Sequence, residues 1–504
     1  MMQLCGYLAT GNTLNLFSTM LEVPILPDAI TFSTILQACV NVQDVQRGRC
    51  IHTEILARGV CMDVVADAIL IGFYSELGTL EEACWVFHNM PYHDMVSWSA
   101  MISVCSKHSQ SHTALSLYKE MIQWGFQPNN VVFVSVLTAC ASQKSLIEGM
   151  LVHVCIIEGV FEDDVGVANA LVNMYGKCKK LEDAQNVFDT IRAKDVVTWT
   201  TLIGAYTHHG DCELCLALFY RMRAESLVPD AFTFVHILKA CGNSIGISNK
   251  GERIHVEVIY EGFVVGKDPF VGIAVLDMYA KCGAFLKARQ VLDTLWVQNV
   301  IAWNALIAGY CDFGFGNESL ICFEEMEKRG IFLSIGTFVS ALKACSISGS
   351  RNKGEEIHSD ALKKGLEENV MVDNVLIDMY VKCGVIEAAE NVFDRIIVRD
   401  VISWTTLLMG YLECGNSKET LACFNCALYD GVNLNDVAYV CGLKACSSLG
   451  AKGMGYNMHS KIVKQGYEKD STIDTTLVHM YMKCSLFEEG WVVFNGASLE
   501  DLAP

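Results

Sequence analysis

Proline is scarce in this sequence, with seven residues in 504, and its scarcity favours helix because proline breaks helices in their interior. No run of 18 uncharged apolar residues occurs, which argues against a membrane-spanning segment. Apolar residues nevertheless make up 52% of the chain. We therefore expect a largely helical chain that buries a core and does not span a membrane.

Basic residues are also few, with 37 Lys and Arg against 57 Asp and Glu, for a net charge of −20. Proteins that bind nucleic acid are more often basic, so this balance argues against that class. The 23 cysteines are an odd number in a chain too long for a small disulfide scaffold. They indicate a reducing compartment and buried free thiols.

Tryptophan marks an internal repeat. Trp98, Trp199, Trp303 and Trp404 follow one another at intervals of 101, 104 and 101 residues. Each is the fourth residue of a 35-residue segment, such as 196–230, that reads as two helices joined by a turn. Units of 35, 31 and 35 residues alternate, and together they account for the period. A spacing this constant predicts an array of stacked repeats.

The repeat divides the chain into a partial repeat at 1–28, fourteen units and a tail at 502–504. One unit has 38 residues, which explains the single interval of 104. The fourteen units are 29–63, 64–94, 95–129, 130–164, 165–195, 196–230, 231–268, 269–299, 300–334, 335–369, 370–400, 401–435, 436–470 and 471–501.

The apolar spacing within a unit is helical. In 165–195, Leu171, Met174 and Tyr175 share one helix face, and Gly176 to Lys180 form the turn before a second helix. One such hairpin cannot cover its own apolar faces, whereas stacked hairpins can. We therefore predict an all-α fold, a right-handed α-solenoid superhelix of helix-turn-helix units without strands.

Residues that resemble catalytic or metal-binding motifs follow the repeat. The CxxC pairs lack the two further ligands that zinc needs, so we interpret all four cysteines as core residues. Two HxE triplets, beginning at His52 and His255, match half of a zinc-deaminase signature, but no PCxxC follows. We interpret the recurring histidines and turn cysteines as packing residues. These sets are Cys212, Cys215, Cys423, Cys426; His52, His153, His255, His358, His459; and Cys178, Cys282, Cys383, Cys484.

Two polar positions vary between units, the fifth residue and the last residue. The fifth lies in the first helix, and the last ends the loop before the next unit. Both positions are expected near one edge of a stacked solenoid. The residues alone leave two interpretations open. The polar side chains either cap helices and occupy loops, or they contact a partner.

Several segments resemble pentatricopeptide repeats: NALVNMYGKC at 169–178, TFVSALKAC at 337–345 and LIDMYVKCG at 376–384. The alternation of unit lengths resembles the plant subfamily of long, short and standard motifs, and the resemblance covers 1–501. It implies a modular binder of single-stranded RNA in mitochondria or chloroplasts that specifies sites of cytidine-to-uridine editing. It further implies one nucleotide per unit, with the RNA running 5′ to 3′ along the chain.

The resemblance also implies a role for each variable position. The fifth and last residues would hydrogen-bond a base edge, and an aliphatic second residue would pack between bases. The implied base-reading residues are Ser99 with Asn129, Asn169 with Asp195, Thr200 with Asp230, Asn304 with Ser334, Asn374 with Asp400 and Thr405 with Asn435. The implied stacking residues are Val96, Val197, Ile301 and Ile402.

The family pattern translates these pairs into A–x–U–G–x–x–C–x–U–A, where x is any base. Valine cannot hydrogen-bond a base edge, so the long units are expected to be indifferent to sequence, and two short units with apolar fifth residues should behave alike. The fifth residues concerned are Val134, Val235, Val339, Val440, Ala68 and Ile273.

The implied partners are single-stranded organellar RNA and editing-complex proteins that supply a deaminase. With no PCxxC and no extension after the last repeat, we expect no enzymatic activity, no cofactor and no metal. The resemblance implies mitochondrion or chloroplast, but the start shows no targeting segment, so we expect this chain as written to stay cytosolic. The alternative is an α-solenoid scaffold that binds proteins, which the net charge of −20 favours.

Overall fold

The computed structural model describes residues 13, 16–17, 19–20, 27–58, 64–90, 92–159, 161, 163–244, 248–366, 369–467 and 470–496. Most of the partial repeat at 1–28, the end of the last unit and the tail lie outside them. The described residues form 28 helices and no strand, so the predicted all-α class is confirmed. Odd-numbered helices are first helices of hairpins and even-numbered helices are second helices.

The first helices are α1 Ala29–Val42, α3 Val64–Leu77, α5 Met95–Lys107, α7 Asn130–Gln143, α9 Val165–Lys177, α11 Val196–His209, α13 Ala231–Gly242, α15 Pro269–Lys281, α17 Val300–Asp312, α19 Ile335–Ser348, α21 Val370–Lys382, α23 Val401–Glu413, α25 Asp436–Leu449 and α27 Ser471–Lys483. The second helices are α2 Val45–Arg58, α4 Leu80–Asn89, α6 Ser111–Gln123, α8 Leu146–Glu158, α10 Leu181–Thr190, α12 Cys212–Ala224, α14 Ser248–Tyr260, α16 Phe285–Thr294, α18 Gly316–Lys328, α20 Arg351–Lys363, α22 Ile386–Arg395, α24 Ser417–Tyr429, α26 Lys452–Gln465 and α28 Phe487–Gly496.

First helices begin at strong caps. Thirteen of the fourteen follow an Asp, Asn or Ser whose side-chain oxygen accepts a backbone N–H of the first turn, and the residue before α3 lies outside the described residues. Each such cap stabilises a helix by roughly 1 kcal/mol. Eight of the thirteen caps are aspartates, so part of the acidic charge of the chain has a structural cause. They are Asp28, Asp94, Asp164, Asp195, Asp230, Asp268, Asp400 and Asp470.

The helices form two compact units, Met1–Ser244 and Ile245–Pro504. Within each unit, a first helix packs on its own second helix and on the neighbouring first helices. Small residues permit this approach. A Cβ added to Gly176 of α9 would lie 2.5 Å from the Cβ of Ala205 in α11. The repeat tryptophans fill the core, and Trp98, Trp199 and Trp303 are almost completely buried.

A second contact joins each long unit to the short unit after it. Histidine Nδ1 lies 2.6–3.0 Å from a tyrosine hydroxyl on the next first helix, which gives the recurring histidines the structural role that we predicted. The pairs are His52 with Tyr74, His153 with Tyr175, His255 with Tyr279, His358 with Tyr380 and His459 with Tyr481. Burial lowers the pKa of three of them, His52, His255 and His358.

The cysteines of the described residues are all free thiols, and most are buried. Cys212, Cys215 and Cys423 lie in the core as predicted, but the prediction is wrong for Cys426, which is exposed because it lies on the outer face of α24. No cluster of His, Cys, Asp and Glu in the described residues could hold a metal ion. None of the described helices has the length and apolar character needed to cross a membrane.

Candidate functional site

The fifth and last residues of the units meet where one first helix begins beside the preceding one. All six of the last residues named above are N-caps of the following first helix, so the capping interpretation is correct for them. The cap holds one side-chain atom on the helix end. In Ser334, Asp400 and Asn435 the capping atom also bonds the fifth residue of the unit before it, whereas Asn129 uses its amide nitrogen for that bond.

Four of the six pairs are joined by a direct hydrogen bond. Asn129 Nδ2 donates to Ser99 Oγ at 3.2 Å, and Thr405 Oγ1 donates to Asn435 Oδ1 at 3.2 Å. In the other two pairs the fifth residue is the amide donor. Asn304 Nδ2 donates to Ser334 Oγ at 3.1 Å, and Asn374 Nδ2 donates to Asp400 Oδ1 at 3.4 Å.

A fifth pair is joined through a third side chain that our sequence analysis did not identify. The hydroxyls of Thr200 and Thr233 lie 2.6 Å apart, and Thr233 Oγ1 donates to Asp230 Oδ1 at 2.7 Å. Thr337 has the same position one long unit later, where its hydroxyl donates to Asn304 Oδ1 at 2.8 Å. Both threonines stand three residues after a cap, and this capping spacing is visible in the sequence.

The sixth pair is different. Asp195 accepts two bonds from Thr198, one from its N–H and one from its hydroxyl, while Asn169 Oδ1 is buried without a hydrogen-bond partner. Asn374 Oδ1 is buried and unpartnered in the same way. These two side chains occupy the same position of short units, and each leaves an amide oxygen whose hydrogen-bonding capacity is unused.

The Asp400 cap is held as an anion. Burial would raise the pKa of Asp400, but hydrogen bonds from Ser403 and Asn374 outweigh burial and keep that pKa below its ordinary value. In Asp195, Asp230 and Asp400, the hydrogen bonds described above all go to Oδ1. A carboxylate fixed at one oxygen offers the other as an acceptor in a defined direction.

The second residues of the first helices are apolar and exposed. Val96, Val197, Ile301 and Ile402 keep between 49% and 59% of their surface accessible. The same position is exposed and apolar in six further long and short units, whereas Gly166, Gly336 and Thr472 occupy it in three others. Reading the second residue of every unit in the sequence would have identified these six further residues: Ile30, Val131, Phe232, Phe270, Met371 and Val437.

The fifth residues expected to be indifferent are half-buried apolar side chains. They are Val134, Val235, Val339, Val440, Ala68 and Ile273. Their positions in the helices match those of the polar fifth residues. Their side chains offer no hydrogen-bond donor or acceptor at this position.

The acidic charge of the chain is not concentrated on the first helices. Without their eight aspartate caps, these fourteen helices carry eight lysines and nine acidic residues, a net charge of −1 against −20 for the whole chain. The lysines cluster towards the helix C-terminal ends, where the helix dipole favours positive charge. They are Lys107, Lys177, Lys239, Lys281, Lys343, Lys382, Lys444 and Lys483.

Comparison with known proteins identifies the repeat. The PPR repeat family matches residues 93–142, 194–243 and 298–346, and the PPR repeat matches 167–196, 374–401 and 402–432. The crystal structure of the pentatricopeptide repeat protein PPR10 from maize matches with a TM-score of 0.52 at 16% identity, over 98% of this chain and 83% of that one. At this identity the likeness shows the fold alone.

Three Arabidopsis thaliana relatives are named pentatricopeptide repeat-containing proteins. The chain is 32% identical to At4g04370 over 97% of its own length and 66% of the relative's. It is 32% identical to At4g18520, chloroplastic, over 83% and 67%, and 30% identical to At1g03540 over 93% and 76%. The chain thus spans about two thirds of the length of the first two relatives. Their names describe repeat proteins and mention no enzyme. The chain belongs to the pentatricopeptide repeat family.

Proposed function

We propose that the chain binds single-stranded RNA in a sequence-specific manner, one nucleotide per unit, and specifies cytidine-to-uridine editing sites in organellar transcripts. It acts as the recognition protein and not as the enzyme, and editing-complex proteins supply the deaminase. The observation that carries the proposal is the recurring hydrogen-bonded pair of a fifth residue and the next helix cap. Repetition of the same small polar site in register with the units suits a polymer of nucleotides.

The capped pairs support base reading because their orientation is fixed before RNA arrives. Asn304, for example, is held through both ends of its amide, by Ser334 and by Thr337. A group that is already ordered loses little conformational entropy on binding, so it contributes more to discrimination. Different polar pairs then present different sets of donors and acceptors to the edge of an unpaired base.

The exposed second residues support packing against bases. They occur in ten of the fourteen units, at the same end of the first helices as the capped pairs. An apolar side chain between successive bases would be removed from water, which stabilises binding without regard to base identity. Sequence-independent affinity and sequence-dependent discrimination would thus come from different positions of the same unit.

The net charge of −20 favours the scaffold alternative, and part of this charge lies at the proposed RNA site. Without their caps the first helices are nearly neutral, but the eight aspartate caps at their N-terminal ends give helices and caps together a charge of −9. Four of their eight lysines contact Asp or His side chains: Lys177, Lys281, Lys343 and Lys382. If four to eight lysines neutralise phosphates, log Kd should change with log salt by about 3 to 6, at about 0.7 per contact on single strands.

Unit lengths support a place in the plant subfamily of long, short and standard motifs. The second helices of the five 31-residue units have 10 residues, whereas all others have 13 or 14. For localisation we propose chloroplast or mitochondrion, since relatives of this chain are named with one or the other.

The proposal is tested by measuring RNA affinity with two ten-nucleotide strands. One carries A–x–U–G–x–x–C–x–U–A, and the other has the six specified letters permuted, with the same base at every x. A mismatch costs about 1–3 kcal/mol, so the first strand should bind at least a hundredfold more tightly. Equal affinity for the two strands, or binding to neither, would favour the protein-binding scaffold.

A further inference from the structure

The outward face of α8 is apolar, although it faces solvent in the described structure. Five side chains at helical spacing along it are exposed, by as much as 76% for Ile147 and 63% for Leu151. The remaining three are Met150, Val154 and Ile157. Contiguous exposed apolar surface of this kind marks an interaction site more often than isolated exposed residues do.

The repeat itself provides the comparison that makes α8 unusual. In α20, the equivalent second helix of another long unit, the positions of Ile147, Met150 and Leu151 are occupied by polar or charged residues. These are Asn352, Glu355 and Glu356, and Ser359 stands in place of Val154. The repeat fold therefore does not require an apolar outer face at this position, so the fold does not explain the apolar face of α8.

The neighbouring second helix, α6, extends the apolar surface. A groove of about 360 Å³ between the two helices is lined by Leu115, Ile122, Leu151 and other residues. At its end Trp124, just beyond α6, is 69% exposed. Grooves of this type accept an amphipathic helix through anchors at spacings of three and four residues.

The apolar stripe of α8 ends in opposite charges. Ile147, Leu151, Val154 and Glu158 follow at intervals of four, three and four residues, the spacing of a helix–helix seam, and Lys144 lies three residues before Ile147 at the C-cap of α7. Lys144 precedes the helix and Glu158 is its last residue, and both are exposed. Neither has an ion-pair partner among the described residues. The stripe is therefore complementary to a copy of itself running in the opposite direction.

We propose that α8 pairs with α8 of a second copy of this chain in an antiparallel, two-fold symmetric contact. A two-fold axis near Leu151 places Lys144 beside the partner's Glu158, and the reverse pair forms by symmetry. The helix dipoles then run in opposite directions, which is favourable. The same axis turns α6, with Ile122 and Trp124, towards the corresponding helix of the second copy. The inference is independent of the proposed RNA binding.

The first experiment measures the mass of the 504-residue chain by sedimentation across a wide concentration range, for the parent and two variants. Leu151→Glu puts charge at the centre of the seam, and Leu286→Glu makes the same change at an 84% exposed leucine on α16. We expect a concentration-dependent dimer that Leu151→Glu weakens by at least about thirtyfold, as for a central interface residue, and that Leu286→Glu leaves intact. A chain that stays monomeric, or a dimer unaffected by Leu151→Glu, overturns the proposal.

A charge exchange tests the antiparallel orientation. Lys144→Glu or Glu158→Lys alone places like charges together twice in the symmetric dimer, so each should weaken dimerisation. The double variant restores opposite charges and should recover dimerisation to near the parent value. If the double variant dimerises as weakly as the two single changes together predict, the two residues do not face each other and the proposed pairing is wrong. The same result is expected if α8 binds a different protein.

Discussion

The side-chain hydroxyls of Thr200 and Thr233 lie 2.6 Å apart in the first compact unit, so the fifth residue of one repeat is bonded to the third residue of the next. Thr233 also bonds to the cap Asp230. The polar site of this repeat is thus a chain of three side chains on two helices. Its geometry depends on the stacking of the repeats as well as on the identity of the residues.

Removing the central hydroxyl should loosen this site. Thr233→Val keeps the shape of the side chain but removes the bonds of its hydroxyl to Thr200 and Asp230, so we expect a loss of stability of about 1–2 kcal/mol. Denaturation by urea measures it. Thr201→Val is the matched control, because the Thr201 hydroxyl bonds only to the carbonyl of Val197 in its own helix. A loss no larger than that of the control would show that the link contributes nothing.

A glycine between neighbouring first helices should not tolerate a methyl group. A Cβ on Gly176 of α9 would lie 2.5 Å from the Cβ and 3.3 Å from the Cα of Ala205 in α11. We expect Gly176→Ala to destabilise by about 1–3 kcal/mol, the usual cost of overpacking. Gly72 in the interior of α3 has no atom within 4 Å of such a Cβ, so Gly72→Ala should instead stabilise by up to about 1 kcal/mol through helix propensity. Thermal denaturation compares the two, and equal effects would contradict the packing described.

The free energy of unfolding should fall on acidification because the histidines of the histidine–tyrosine pairs then take up protons. Burial lowers the pKa of His358, so the folded state favours the neutral ring and binds fewer protons than the unfolded state. The contribution of the neutral His358 ring to the free energy of unfolding is complete above the unfolded pKa of about 6.5. It is lost as the pH falls below that value. Asp373 acts in the opposite sense, since burial raises its pKa to about 6.

A difference measurement separates these two groups. Because Arg395 contacts both residues, the stabilities with His358 and with His358→Gln are compared between pH 5 and pH 8 in an Asp373→Asn background, which removes the contribution of Asp373. The difference between the two stabilities should shrink as the pH falls, because only the protein with His358 must take up a proton at position 358. A difference that stays constant over the range would show that the His358 ring does not titrate differently in the folded state.

The exposed second residues should contribute to RNA affinity without contributing to the fold. Val197→Ser removes an apolar side chain that is already half accessible, so stability should change by less than about 0.5 kcal/mol. Loss of its burial against a base should weaken binding about fivefold, whatever the RNA sequence. Leu286→Ser, on a second helix, is the control and should leave affinity unchanged. A loss that depends on RNA sequence would assign a different role to Val197.

Much of this architecture could be predicted from the sequence because the same pattern of apolar residues occurs in every repeat. The helical class and the hairpin turns follow from apolar spacing seen in every unit. The bonds of Thr233 could not be derived in the same way, since they require two helices from successive units to lie side by side. The outward direction of Cys426 was missed because CxxC spacing alone does not specify which residue faces the core.

The base-reading proposal depends most directly on residue 200. The measurement compares the parent and Thr200→Asn on RNAs that differ only at the fourth letter, guanine or uracil. The parent should prefer guanine, and the pair of Asn with Asp230 should prefer uracil, each by about ten- to a hundredfold. Thr201→Asn makes the same substitution one residue along the helix and should leave the guanine preference unchanged. If the parent and Thr200→Asn show the same preference, or neither binds RNA, then position 200 does not read a base in this protein.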